Sequence, residues 1–142
     1  MHEGMFEALE PEDCRALLRT QEVGRVAWTS ADAGILVLPV NYAMRGDLVV
    51  FRTSRDSVLA DLAEGREVAF QVDDVDVETG NGWSVMAQGE SATPKPGPEL
   101  DELEKDGPEP WAIGDRDLLI TLRVRQISGR VVDRSETWNT SD

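Results

Sequence analysis

The sequence has 142 residues, 40% hydrophobic and 30% charged, and its acidic residues outnumber basic ones 28 to 14 for a net charge of −14. That length suits one domain with a core of its own, since a chain of about 150 residues removes about 70% of its unfolded surface on folding. The negative charge repels phosphate backbones and no compact basic patch carries interleaved aromatics, which argues against nucleic-acid binding; no apolar run reaches the roughly 18 residues of a membrane span.

Residues Met1–Glu7 lack the basic start and apolar stretch of a signal peptide. Cys14 is the only cysteine, so no internal disulfide forms, which fits a cytoplasmic protein. Pro11, followed by Glu12 and Asp13, reads as the start of a helix over residues 10–21, with Cys14, Leu17 and Leu18 on one face. Cys14 is then a small core residue rather than a nucleophile. From Gly24 the texture changes to strands. Gly24–Thr29 and Ile35–Tyr42 flank the turn formers Ser30–Gly34, and Arg45-Gly46-Asp47 leads into Leu48–Phe51 as a hairpin. A short helix over Ser57–Ala63 is followed by a strand over Glu67–Val72. Gly80-Asn81-Gly82 then turns into a strand from Trp83 to about Ala92.

Residues 93–110 contain five prolines and two glycines and read as a surface excursion, with room for a helix over Glu99–Lys105. Leu118, Ile120, Leu122 and Val124 alternate with Leu119, Thr121, Arg123 and Arg125, a period-2 strand, and Ser128-Gly129 suggests a bulge before Arg130. Residues 1–132 form the domain and 133–142 a polar tail. Several strands without β-α alternation argue for a mainly β fold, a small antiparallel barrel with a few short helices.

One cysteine and one histidine cannot supply a zinc cage, and Asp73-Asp74-Val75-Asp76 lacks the glycine and distal glutamate of a calcium loop. No serine triad, Walker loop or GxGxxG motif is present. The informative stretch is Phe51-Arg52-Thr53-Ser54-Arg55-Asp56-Ser57. A strand there ends in a guanidinium, hydroxyls and backbone amides entering a helix, the components of a phosphate cradle. It also reads as a plain connection capped by Ser57, with Arg52 paired to one of the many acids. The residues alone do not choose between the two.

The blocks Val23–Ala27, Leu38–Tyr42, Val50–Thr53, Val68–Asp73, Gly82–Val85 and Pro110–Ala112, in that order, resemble the pyridoxamine 5'-phosphate oxidase-like family of actinobacterial type. The resemblance implies a six-stranded antiparallel split β-barrel that forms a homodimer with FMN in clefts between the subunits. By the same resemblance Pro39, Val40 and Asn41 line the isoalloxazine ring, and Arg52, Thr53, Ser54 and Ser57 hold the phosphate. Trp83, Ser84 and Trp111 border the cleft. Related sequences usually carry glycine and lysine where this chain has Asp56 and Val58, so the loop lacks its second cation and gains a carboxylate. The resemblance thus implies an FMN-dependent oxidoreductase or flavin reductase. The alternatives are a non-catalytic flavin-storing or flavin-sensing dimer, a cofactor-free dimer, and a binder of the deazaflavin F420.

Overall fold

The computed structural model describes residues 5–106 and 117–133. In chain order these form β1 (Met5–Ala8), α1 (Pro11–Leu18), β2 (Val23–Ser30), β3 (Gly34–Arg45), β4 (Leu48–Thr53), a 3-10 helix (Val58–Glu64), β5 (Glu67–Val75), β6 (Gly82–Ala92), α2 (Pro98–Asp106) and β7 (Leu118–Asp133). The strands pair antiparallel in the order β7-β4-β3-β2-β5-β6, and β6 returns to β7. The result is the expected six-stranded barrel. β1 joins it as a seventh strand along the end of β7, from Met5 opposite Asp133 to Ala8 opposite Arg130. The sequence pattern marks no element before the first helix. Four residues carry too little pattern to declare a strand, and the open edge of β7 orders them.

Strand alternation sorts the side chains. In β3, Val40 and Tyr42 are buried while Pro39 is exposed and Asn41 half-buried. The first part of β3 pairs with β2 and the last part, from Tyr42, with β4, so one long strand turns a corner of the barrel. Inside, Phe51, Phe70, Val72, Val85 and Ile120 are sealed from solvent, each large side chain contributing about 1.5–3 kcal/mol of burial. The Tyr42 ring meets Phe70 edge-on at 4.8 Å, an arrangement that aromatic quadrupoles favour.

β7 is longer and more regular than expected. Ser128 and Gly129 pair in register with Met86 and Val85; the irregularity lies earlier, where Gln88 pairs with Gln126 but Gly89 with Val124, leaving Arg125 as the extra residue. The physical reason is the break in alternation, since Arg125 and Gln126 are both exposed. Gly129 serves a different need: a methyl group there would lie 2.9 Å from Cys14 Sγ, so its absence lets α1 seat on the barrel. Cys14 is fully buried beneath that helix, and burial, followed by the Asp13 charge, pushes its thiol pKa up. The first half of β7 also departs from simple alternation. Leu119 is buried on the outer side because α2 covers it, packing Leu103 against Leu119 and Val50. The excursion therefore contains a helix close to the expected one, and that helix is part of the fold.

Pro11 occupies the first turn of α1. The helix stops at Leu18, short of the expected Gln21, where two hydroxyls take its terminal carbonyls: Thr20 donates to Leu17 O at 2.7 Å and Tyr42 donates to Leu18 O. The connection after β4 winds as a 3-10 helix rather than an α-helix, with Ser57 accepting from the Leu59 amide at 3.0 Å.

Two consequences can be measured. A methyl group at Gly89 would sit 1.9 Å from the Arg123 carbonyl oxygen, so Gly89→Ala is expected to cost about 3 kcal/mol or more in denaturant unfolding; a wild-type midpoint would show that the β6–β7 seam yields. Burial pushes the Tyr42 hydroxyl pKa from 10.0 up to about 12. The folded chain then holds a proton that the unfolded chain loses, so stability falls as pH rises across that interval. Tyr42 is the only tyrosine, so near-ultraviolet tyrosinate absorbance reads it directly. Titration at the ordinary value in the folded protein would contradict the burial of its hydroxyl.

Candidate functional site

The inward faces of the strands are filled by core, so any ligand site must lie on the outer surface or at the barrel ends. On β3, Pro39 and Asn41 face outward, and on β4 so does Arg52, its side chain 16% exposed. Val40 faces in and is 7% exposed, so only its backbone is available to a ligand outside. Arg52 and Thr53 are neighbours on one strand and point to opposite sides of it. Thr53 is 1% exposed and its hydroxyl finds no hydrogen-bond partner among the described residues. An unpaired buried hydroxyl costs about 1–3 kcal/mol.

The loop after β4 is bonded largely to itself and to α2. Arg52 donates to the Glu104 carbonyl at 3.0 Å and stands 3.6 Å from the Glu104 carboxylate. Ser54 donates to Asp56 at 2.9 Å, Ser57 caps the 3-10 helix, and Arg55 pairs with Asp117 at 3.3 Å. The plain reading of this segment, a capped connection with Arg52 paired to an acid, is thus realised in detail. Among the residues expected to hold a phosphate, the Thr53 hydroxyl is the buried polar atom left over.

Ser84 lies on the outer face of β6, while Trp83 turns inward and packs against the core from its rim. Ser84 is joined to β3 by a polar row that no sequence motif marks. Arg25, opposite Pro39, bonds Asp73 at 3.3 Å, and Gln71 donates to the same carboxylate at 2.9 Å. Asp73 in turn pairs with Ser84 across the β5–β6 ladder. The available signal was parity, because Arg25, Gln71 and Asp73 all alternate with buried neighbours. The end of β4 lies beside Leu118 at the start of β7, whereas Ser84 pairs with Arg130 near its other end, about 40 Å further along that strand. One chain therefore does not gather Trp83 and Ser84 with the loop after β4. Trp111 lies outside the described residues.

Next to this row the outer sheet exposes apolar side chains. Ile35 is 78% exposed and Val37 60%, and beside them runs a groove of about 620 Å³ in which Ala27, Ile35 and Ala69 alternate with the polar Thr29, Gln88 and Arg125. Arg125, thrown outward at the bulge, closes it with a two-pronged pair to Glu67 at 2.7 and 2.8 Å.

Residues 10–131 match the family described as pyridoxamine 5'-phosphate oxidase. The chain belongs to the pyridoxamine 5'-phosphate oxidase family. No match is found among curated proteins. Solved structures carry the same fold. An FAD-binding protein from Mycobacterium smegmatis is 28% identical with a TM-score of 0.73, over 89% of this chain and 97% of that one. An FAD-binding protein from Mesorhizobium loti is 17% identical at 0.71, over 92% and 99%. An FAD- and heme-binding protein from M. smegmatis is 18% identical at 0.70, over 95% and 76%. For this family member the split barrel and its closure are therefore shared with known structures.

The Arg52 contacts tie β4 to the end of α2, and this can be tested. Arg52→Met is expected to cost about 1–2 kcal/mol and to speed amide hydrogen exchange across residues 98–106. Unchanged exchange there would mean that Leu103 alone anchors the helix.

Proposed function

We propose that this chain is a flavin-dependent redox protein that acts as a homodimer, with a flavin nucleotide in each of two clefts between subunits. The observation that carries this reading is the outer sheet face. On a barrel with its core already filled, Ile35 and Val37 are 78% and 60% exposed beside a groove of about 620 Å³, and Pro39, Asn41 and Arg52 lie on the same outer side. Neighbouring exposed aliphatic side chains beside a groove mark a surface to be covered. Membership of the family and the FAD-binding relatives that share the fold support a flavin as the ligand and a second copy as the cover.

In this reading the backbone of Pro39, Val40 and Asn41 borders the ring system, and the exposed apolar residues exclude water when two subunits meet. Arg52, Ser54 and Ser57 hold the phosphate from the outer side, and the Thr53 hydroxyl, buried without a partner among the described residues, points inward, away from Arg52, and is reached only at the end of β4. Trp83, Ser84 and Trp111 close the cleft from the opposite subunit, consistent with Ser84 and the end of β4 lying at opposite ends of β7 within one chain. A bound flavin, FMN or FAD, supplies hydride and electron transfer; the protein supplies orientation and a dry cleft. The activity is then that of an oxidoreductase or flavin reductase, in the cytoplasm. Among the described residues no helix is long and apolar enough to cross a membrane.

One observation favours a second reading, a dimer that stores or senses a flavin without turnover, or holds none: Arg52 and Ser54 are already engaged by Glu104 and Asp56. The visible spectrum of purified protein separates the two. A flavin spectrum bleached by NADH or NADPH is expected; flavin that resists both reductants supports the carrier. Colourless protein that binds neither FMN nor FAD on titration sinks the flavin, leaving F420 as the next ligand to try. Val37→Asp is expected to give monomers by light scattering and to lose flavin in parallel. Monomers that keep their flavin would place the site within one chain.

A further inference from the structure

We infer that the outer face of β2, β3, β5 and β6 interlocks with the same face of a second copy, Ile35 of each seated in the hollow above Ala27 and Ala69 of the other; this rests on the homodimer reading above. Strand register makes the hollow. Val37, Ala27, Ala69 and Gln88 lie side by side on four neighbouring strands, whose backbones run about 4.7–4.9 Å apart. Two alanines within a row of longer side chains leave a depression two strands wide. It is the groove of about 620 Å³, with Ile35 at one margin and Arg125 at the other. Ile35, 78% exposed, stands up beside it, and seating that side chain takes its apolar surface out of water once in each copy.

The partner this surface fits is a copy of the chain. An isologous contact needs a projection and its recess on one patch, so that a two-fold axis running between them exchanges both. Ile35 and the alanine hollow meet that requirement, whereas a different protein would need only one of them. Charge points the same way. Each chain carries −14, and two such chains repel wherever their excess charge faces. Around the hollow each acid has an arginine beside it. Glu67 accepts from Arg125 at 2.7 and 2.8 Å, Asp73 meets Arg25 at 3.3 Å, and Glu90 stands opposite Arg123 across the seam. These three acids and three arginines sum to zero, so two copies meet here with little repulsion at the contact.

The test measures dimer dissociation of the full-length protein by sedimentation equilibrium, with and without added FMN. Ile35→Ala removes the projection and is expected to weaken the dimer about tenfold or more; Ala69→Leu, which fills the hollow, is expected to do the same. The double variant Ile35→Ala/Ala69→Leu should recover most of the lost affinity, because leucine then occupies the space that isoleucine left, a coupling that separate effects would not produce. Raising the salt should tighten the dimer by screening the repulsion between the remaining charges. Ile35 is exposed in the single chain, so its variant carries the comparison even if Ala69→Leu melts early. Wild-type affinity in either folded single variant overturns the interlock and leaves the homodimer standing. A double variant as weak as the two losses combined, or a dimer that salt weakens, does likewise. A wild-type chain that stays monomeric under both conditions overturns the homodimer reading itself.

Discussion

The β6–β7 seam is the contact on which the rest of the structure depends. It runs from Gly82 opposite Val132 to Ala92 opposite Thr121, and it turns a six-stranded sheet into a barrel without open edges along its wall. Closing so small a barrel requires a sharp bend, supplied where Arg125 is extruded and Gly89 lets the Arg123 carbonyl come closer than any side chain would permit. The same bend decides where function can sit. Once closed, the inner wall is full of Phe51, Phe70 and aliphatic side chains, and only the outer wall and the barrel ends remain for chemistry.

The wall is divided among three kinds of neighbour. α1 packs on the inward side of the β6–β7 seam, where Gly129 admits Cys14 beside Val85; α2 covers the outer side of β4 and the first half of β7 through Leu103. β1 takes the remaining edge of β7. What none of these elements covers is the apolar stretch of β3 and the adjoining β2–β5–β6 surface, and its exposure is the strongest physical pointer to a partner. The polar groups at its border are mostly tied to one another, Arg25 to Asp73 and Arg52 to Glu104. A ligand at that border would have to compete with ion pairs already made.

Much of the fold was legible from residue order. Alternation marked the main strands, turn formers marked the hairpins, and Pro11 marked the helix start, because each depends on neighbours a few residues apart. The candidate site was legible only as a set of residue types. Arg52, Thr53 and Ser54 read as a cradle, but the acid that meets Arg52 lies 52 residues away, and no local pattern names it among 28 acidic residues. The bulge was misplaced for a related reason: Gly129 looked like its marker, yet that glycine answers to α1, which packs across from the other end of the chain.

The sequence by itself determined a mainly β domain, its strand periods and its family, since these rest on local alternation and on an ordered set of short blocks. Only the tertiary structure decided which side of each strand is core and how the barrel closes. It also decided that Arg52 and Thr53 face opposite ways, that α2 reaches back to β4, and that Trp83 and Ser84 lie too far along the sheet to join the β4 loop within one chain. These are consequences of strand register and closure, which bring together residues with no sequence relation and separate others that read as one motif.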